Sequence, residues 1–176
     1  STPPGMGIMD ANSEVHYQAT ISTSTNKTFG KMFIENNSTV TFTGKPIVQT
    51  SLYVAAGSTI PFSNSTGNYI TVNETATVAI DGSIKSAKAA GIFSYGVSTP
   101  STSFGNIQFK DAVGGLTLGS SSTVEYNRTD STTAQPISTL PTGVQYNNLT
   151  LSDSGVRNNK LFSGAVTVNN TFTLNQ

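Results

Sequence analysis

The chain of 176 residues has no cysteine, no tryptophan and a single histidine, His16. Disulfides, thiol nucleophiles and cysteine metal sites are therefore excluded, and a Ser–His triad would have to be built on His16. Charge is scarce as well. Nine Lys and Arg balance nine Asp and Glu, 10% of the chain in all, against about 25% in ordinary domains. Nine dispersed cations make no large basic face for phosphates, so no nucleic-acid partner is expected. No apolar run approaches the roughly 20 residues of a membrane helix, and no membrane span is expected. Helix signals are nearly absent, with no long stretch of 3.6-residue apolar period. Ser1-Thr2-Pro3-Pro4-Gly5 lacks the basic and apolar regions of a signal peptide, so the chain reads as a mature form or a piece of something larger.

What is present is Ser, Thr and Asn, 66 of the 176 residues. Such a neutral polar composition is common among extracellular and cell-surface β-proteins, and that location is expected. Pairs of apolar residues separated by one recur throughout, the mark of a strand with one buried face. One hexapeptide form repeats closely: Asn37–Phe42, Gly57–Phe62, Thr75–Ile80, Ser121–Tyr126 and Asn169–Leu174, with Asn12–Tyr17 a looser copy. Further apolar pairs precede them at Met32/Ile34, Leu52/Val54, Ile70/Val72 and Leu116/Leu118.

Units starting at residues 32, 52 and 70 give a period of about 18–20, which points to an all-β fold, a β-solenoid of the right-handed β-helix kind. The alternative is an antiparallel β-sandwich completed by a donated strand, although Asp81-Gly82 is the one clear hairpin dipeptide. The chain reads as one β-rich domain over 1–176. Residues 82–106 break the pattern and read as an insertion or long loop, with room for a short helix.

Residues 115–176 resemble a known repeat. Gly115-Leu116-Thr117-Leu118-Gly119, Ser122-Thr123-Val124-Glu125-Tyr126-Asn127, Ala134-Gln135-Pro136-Ile137, Tyr146-Asn147-Asn148-Leu149-Thr150-Leu151-Ser152 and Gly155-Val156 are similar to the repeat of large β-helical surface proteins and adhesins of Bacteroidota. Residues 10–80 match loosely. Arg128 stands where that repeat usually has Gly, and Pro136 where it usually has Thr. The resemblance implies an exported protein with an adhesive or structural role and no catalysis.

The residues themselves suggest little chemistry. A carbohydrate-active β-helix enzyme, the least favoured alternative, would need clustered carboxylates in a groove; Asp10/Glu14 and Glu125/Asp130 are the nearest acid pairs, and neither makes a recognised motif. Stacking could bring Glu14 and Glu125 together, as they sit in similar hexapeptides. No enzyme, cofactor or metal is expected. His16 lies between Val15 and Tyr17 and should point outward. Eight Asn-x-Ser/Thr sequons, at Asn26, Asn36, Asn37, Asn64, Asn73, Asn127, Asn148 and Asn169, are candidate glycosylation sites. Surface glycans are a second partner class, with Tyr53, Tyr69 and Tyr95 as candidate platforms. Ice is another possible ligand, but threonines such as those in Thr39–Thr43 do not share one register across the repeats.

The C-terminal strand is the stronger candidate. Val166, Val168, Phe172 and Leu174 share one parity and form a candidate assembly strand, for donation to a neighbour or for end-to-end stacking. The expected partner is another copy of the chain, or neighbouring repeats of a longer one. The leading function is thus a subunit of a surface filament or a segment of an adhesin stalk. Val124 and Phe172 should both point into the core, where alanine would cost about 2 to 5 kcal/mol.

Overall fold

The computed structural model of the chain describes residues 10, 12–62, 67–112, 115–129, 132–153 and 158–175. These hold seventeen strands and no helix. In order they are β1 (Glu14–Tyr17), β2 (Ile21–Thr23), β3 (Thr28–Ile34), β4 (Val40–Phe42), β5 (Ile47–Val54), β6 (Thr59–Phe62), β7 (Ile70–Val72), β8 (Thr77–Ile80) and β9 (Ser83–Ser86). Then follow β10 (Phe93–Ser94), β11 (Ile107–Phe109), β12 (Gly115–Leu118), β13 (Thr123–Tyr126), β14 (Gln135–Ile137), β15 (Tyr146–Ser152), β16 (Lys160–Phe162) and β17 (Val168–Asn175). Every pairing between the described strands is parallel. The antiparallel β-sandwich does not fit, because its hairpins would give antiparallel ladders.

From β1 to β9 the chain visits three runs of strands in rotation; afterwards β11 returns between β7 and β10, and β14 and β16 pair with each other. The first run is β1-β3-β5-β8-β12. The second starts with β2-β4, crosses a Thr39–Thr59 bridge, and continues as β6-β9-β13-β15-β17. The third takes the opening residues of β3 and β5, then β7, β11 and β10. β14 pairs with β16 and is tied to β10 by the Phe93 N–H, which donates to Ser138 Oγ at 3.0 Å. β3 and β5 each serve two runs because a register shift between Phe29 and Lys31 bends them between halves.

Alternation makes the core. In the second run Val40, Ile60, Ile84, Val124 and Leu149 stack in one inward row, all at 0% exposure. In the first run Met32, Leu52, Val78 and Leu116 form another, all buried. β-Branched and aromatic residues suit such half-buried ladders. The corners between strands are tight. Asn36 and Asn37 take φ of 57° and 56°, and Gly57 takes 79°. A methyl at Gly82 would run into the carbonyl oxygens of Ala55 and Ser58 in the preceding circuit.

The repeat period needs correcting. Val15 pairs with Met32 and Met32 with Leu52, close to the expected 18–20. Later circuits lengthen: Leu52 pairs with Val78 and Val78 with Leu116. The hexapeptide copies also fall on different runs. Those ending at Phe42, Phe62, Tyr126 and Leu174 lie on the second, while Val78/Ile80 and Val15/Tyr17 lie on the first.

Of the stretch 82–106, β9 is a regular member of the second run, between β6 and β13. The remainder holds β10 and a loop closed by buried polar groups. Gln108 Nε2 donates to the carbonyls of Ser101 at 2.7 Å and Gly105 at 2.9 Å, and Asn106 Nδ2 donates to that of Asn68 at 2.8 Å.

Candidate functional site

The second run ends at β17. This strand pairs with β15, and its other edge has no strand partner among the described residues. Phe172 stands next to Leu149 and Leu174 next to Leu151, so both point inward. Yet Phe172 is 52% exposed and Leu174 57%, because no further strand of the described residues covers them. The expectation that Phe172 is buried is therefore wrong, although its direction is right. β17 begins at Val168, and Val166, which precedes it, is half-buried like Val168.

Phe162 on β16 follows Ile137 inward and is 45% exposed. Together Leu151, Phe162, Phe172 and Leu174 line a cleft of about 300 Å³, with Asp153 and Lys160 at its side. An amide ladder borders the same end. Asn170 Nδ2 donates to Asn148 Oδ1 and Asn148 Nδ2 to the Ser122 carbonyl, both at 2.8 Å. Sequence reasoning missed Phe162, whose strand Lys-Leu-Phe shows no alternation by hydropathy.

The opposite end shows the same row unfinished. Ile21 on β2 stands next to Val40 and is 37% exposed. Val15 and Tyr17 beside it are half-buried, with the Tyr17 ring set edge-on against Phe42 at 5.8 Å.

The acids do not make the arrangement considered from the sequence. Glu14 is on the first run, bonded by Lys31 Nζ at 2.7 Å. Glu125 is on the second, paired with Lys85 at 3.2 Å and accepting from Ser152 Oγ at 2.7 Å. Asp130 lies outside the described residues. The acid cluster that does form is Glu14–His16–Glu35. His16 Nδ1 is 3.0 Å from Glu35 and Nε2 is 3.5 Å from Glu14, while the ring stacks on Phe33 at 4.5 Å. Nineteen residues separate His16 from Glu35, one circuit. All of these groups are substantially solvated, and among the described residues no metal-binding cluster is found.

The Glu35 bond, and more weakly Glu14, hold His16 above its ordinary 6.5 against some burial. Glu14 is held below 4.5 chiefly by Lys31, and Glu35 below it chiefly by His16. The raised histidine stabilises the fold fully below pH 6.5 and loses that contribution as pH rises through its folded value. The lowered carboxylates contribute above pH 4.5 and lose it as pH falls. The cluster thus contributes most between about 4.5 and 6.5. We expect the NMR midpoint of His16 to fall in Glu35→Gln, and by more than in Glu14→Gln. Equal midpoints in all three proteins would show that the Glu35 contact is absent in solution.

Within the second run a column of hydroxyls forms, Thr39, Thr59, Ser83, Thr123 and Thr171 with Asn148 among them, while Thr77 of the Thr75–Ile80 copy lies on the first run. The neighbouring column carries Pro61, Lys85 and Glu125, which interrupts any flat two-dimensional hydroxyl array. The three tyrosines stand on separate elements. Tyr53 donates to Asp81 at 3.0 Å, Tyr69 is buried, and Tyr95 stacks on Phe109 at 4.8 Å. Among the sequons Asn26, Asn36, Asn37 and Asn169 are exposed, Asn73, Asn127 and Asn148 are half-buried, and Asn64 lies outside the described residues.

At the level of class this is an all-β protein of parallel strands with an open apolar face where β17 ends the second run. No protein-family model, curated protein or solved structure matches the chain. Among the described residues no helix is long and apolar enough to cross a membrane.

Proposed function

We propose that the chain is a β-solenoid of the right-handed β-helix kind and serves as an extracellular structural module. It is a subunit of a surface filament or a segment of an adhesin stalk, lengthened by adding a parallel strand to β17. One observation carries this reading. The inward row is fully buried at five successive positions and open at Phe172, which is what a stack awaiting its next layer presents. The rotation of β1 to β9 through three parallel runs, the low charge and the resemblance of residues 115–176 to surface-protein repeats support it.

The test is to supply the next layer. A chain extended after Asn175 by a second copy of residues 153–175 should set new strands on β16 and β17. Amide exchange at Thr171–Leu174 should then slow to that of β15, and the melting temperature should rise. If those amides exchange as fast as before, β17 does not accept a further strand and the reading fails.

A further inference from the structure

We propose that the end face of β17 receives β2 of a second copy, head to tail. The inference rests on the extendable reading above and names the occupant. The inward row of the second run begins at Ile21 and ends at Phe172; these two are its exposed members, and the five between them are closed.

Both terminal strands belong to one parallel run, joined through the parallel Thr39–Thr59 bridge, so a second copy placed along the stack presents β2 in the direction that β17 requires. The inward parity also matches, setting Ile21 of the second copy over Phe172. Apart from Phe104, the exposed large apolar side chains of the described residues lie at these two ends. A two-fold contact would instead pair β17 with β17 antiparallel and leave Ile21 in water. The head-to-tail contact joins unlike surfaces and does not close, so its product is a filament.

Two blocking variants test it. Phe172→Lys closes one end and Ile21→Lys the other. Both side chains are partly solvated, so folding should survive, which protection of the β13 amides verifies. Leu174→Glu serves if Phe172→Lys does not fold. Sedimentation and electron microscopy of the 176-residue chain over a concentration series should show filaments. Each variant alone should remain a monomer. An equimolar mixture should sediment at twice the monomer mass, because one open end of each kind remains.

A wild-type chain that stays monomeric throughout would overturn the proposal. So would an Ile21→Lys variant that assembles like wild type, since β17 would then be meeting β17. Wild-type monomers alongside a protected β17 in the extended chain would remove the second copy and leave the solenoid reading standing.

Discussion

Leu149→Ala should cost about 2–5 kcal/mol of unfolding free energy, whereas Phe172→Ala, next in the same row and half-exposed, should cost about 1 kcal/mol. Leu149 is fully buried between Val124 and Phe172. Its truncation loses apolar transfer energy and leaves a cavity that the neighbouring strands hold open. Phe172 is the larger side chain, but half of its surface already meets water and no enclosed void forms when it is removed. The comparison belongs at concentrations where the chain is unassembled, by chemical denaturation followed with circular dichroism. Equal losses would mean that Phe172 is covered, and the open end face would be gone. A loss under about 0.5 kcal/mol at Leu149 would instead mean that the inward register is wrong, since that is the size of an ordinary surface change. The same pair bears on assembly: in filaments Phe172→Ala should become the more damaging of the two.

The strands were legible in the sequence because alternation is a local property. Val124/Tyr126 and Leu52/Val54 announce a buried face without reference to anything distant. The side of the stack on which each strand falls was not legible, because the first and second runs bury alternate residues in the same way, while β7 and β11 of the third bury every residue. Val78/Ile80 repeat the form of Ile60/Phe62 yet stack on Leu52/Val54. The strand that does stack on Ile60 is β9, where Ser86 stands inward in place of an apolar residue. It is tolerated there because its hydroxyl pairs with Asn106 and accepts the Lys88 N–H at 3.1 Å. Hydropathy alone therefore reads β9 as part of a loop. The candidate end strand was visible for the opposite reason, since Val168, Phe172 and Leu174 keep their parity whether or not anything covers them. The His16–Glu35 contact needed the first-run register, which becomes readable only once Val15 is paired with Met32.

Replacing Lys88 by Met should stabilise the chain at neutral pH and abolish a rise in stability between about pH 8 and 9.5. Lys88 is buried to 3% exposure and meets Gly105 in residues 98–106, part of the loop between β10 and β11. Its ammonium makes a long contact of 3.5 Å with the Gly105 carbonyl and lies 5.6 Å from the Tyr69 ring, which Lys45 approaches to 5.4 Å. Burial, with a smaller push from Lys45, lowers its pKa from 10.5 to about 8. The folded chain therefore holds this proton less firmly than the unfolded chain. The penalty is complete below about pH 8 and is relieved as pH climbs toward 10.5. The full shift is worth about 3 kcal/mol at 1.36 kcal/mol per pH unit. Loss of the Tyr69 contact offsets some of that in Met, leaving an expected gain of about 1–2 kcal/mol at pH 7. Measurements are best kept below pH 10, where unfolded tyrosines begin to ionise while Tyr126 and Tyr146 are held neutral by burial. Denaturation midpoints at pH 7, 8 and 9.5 decide the matter. Parallel pH profiles for wild type and Lys88→Met would show that the amine reaches water, and that the 98–106 loop does not seal it.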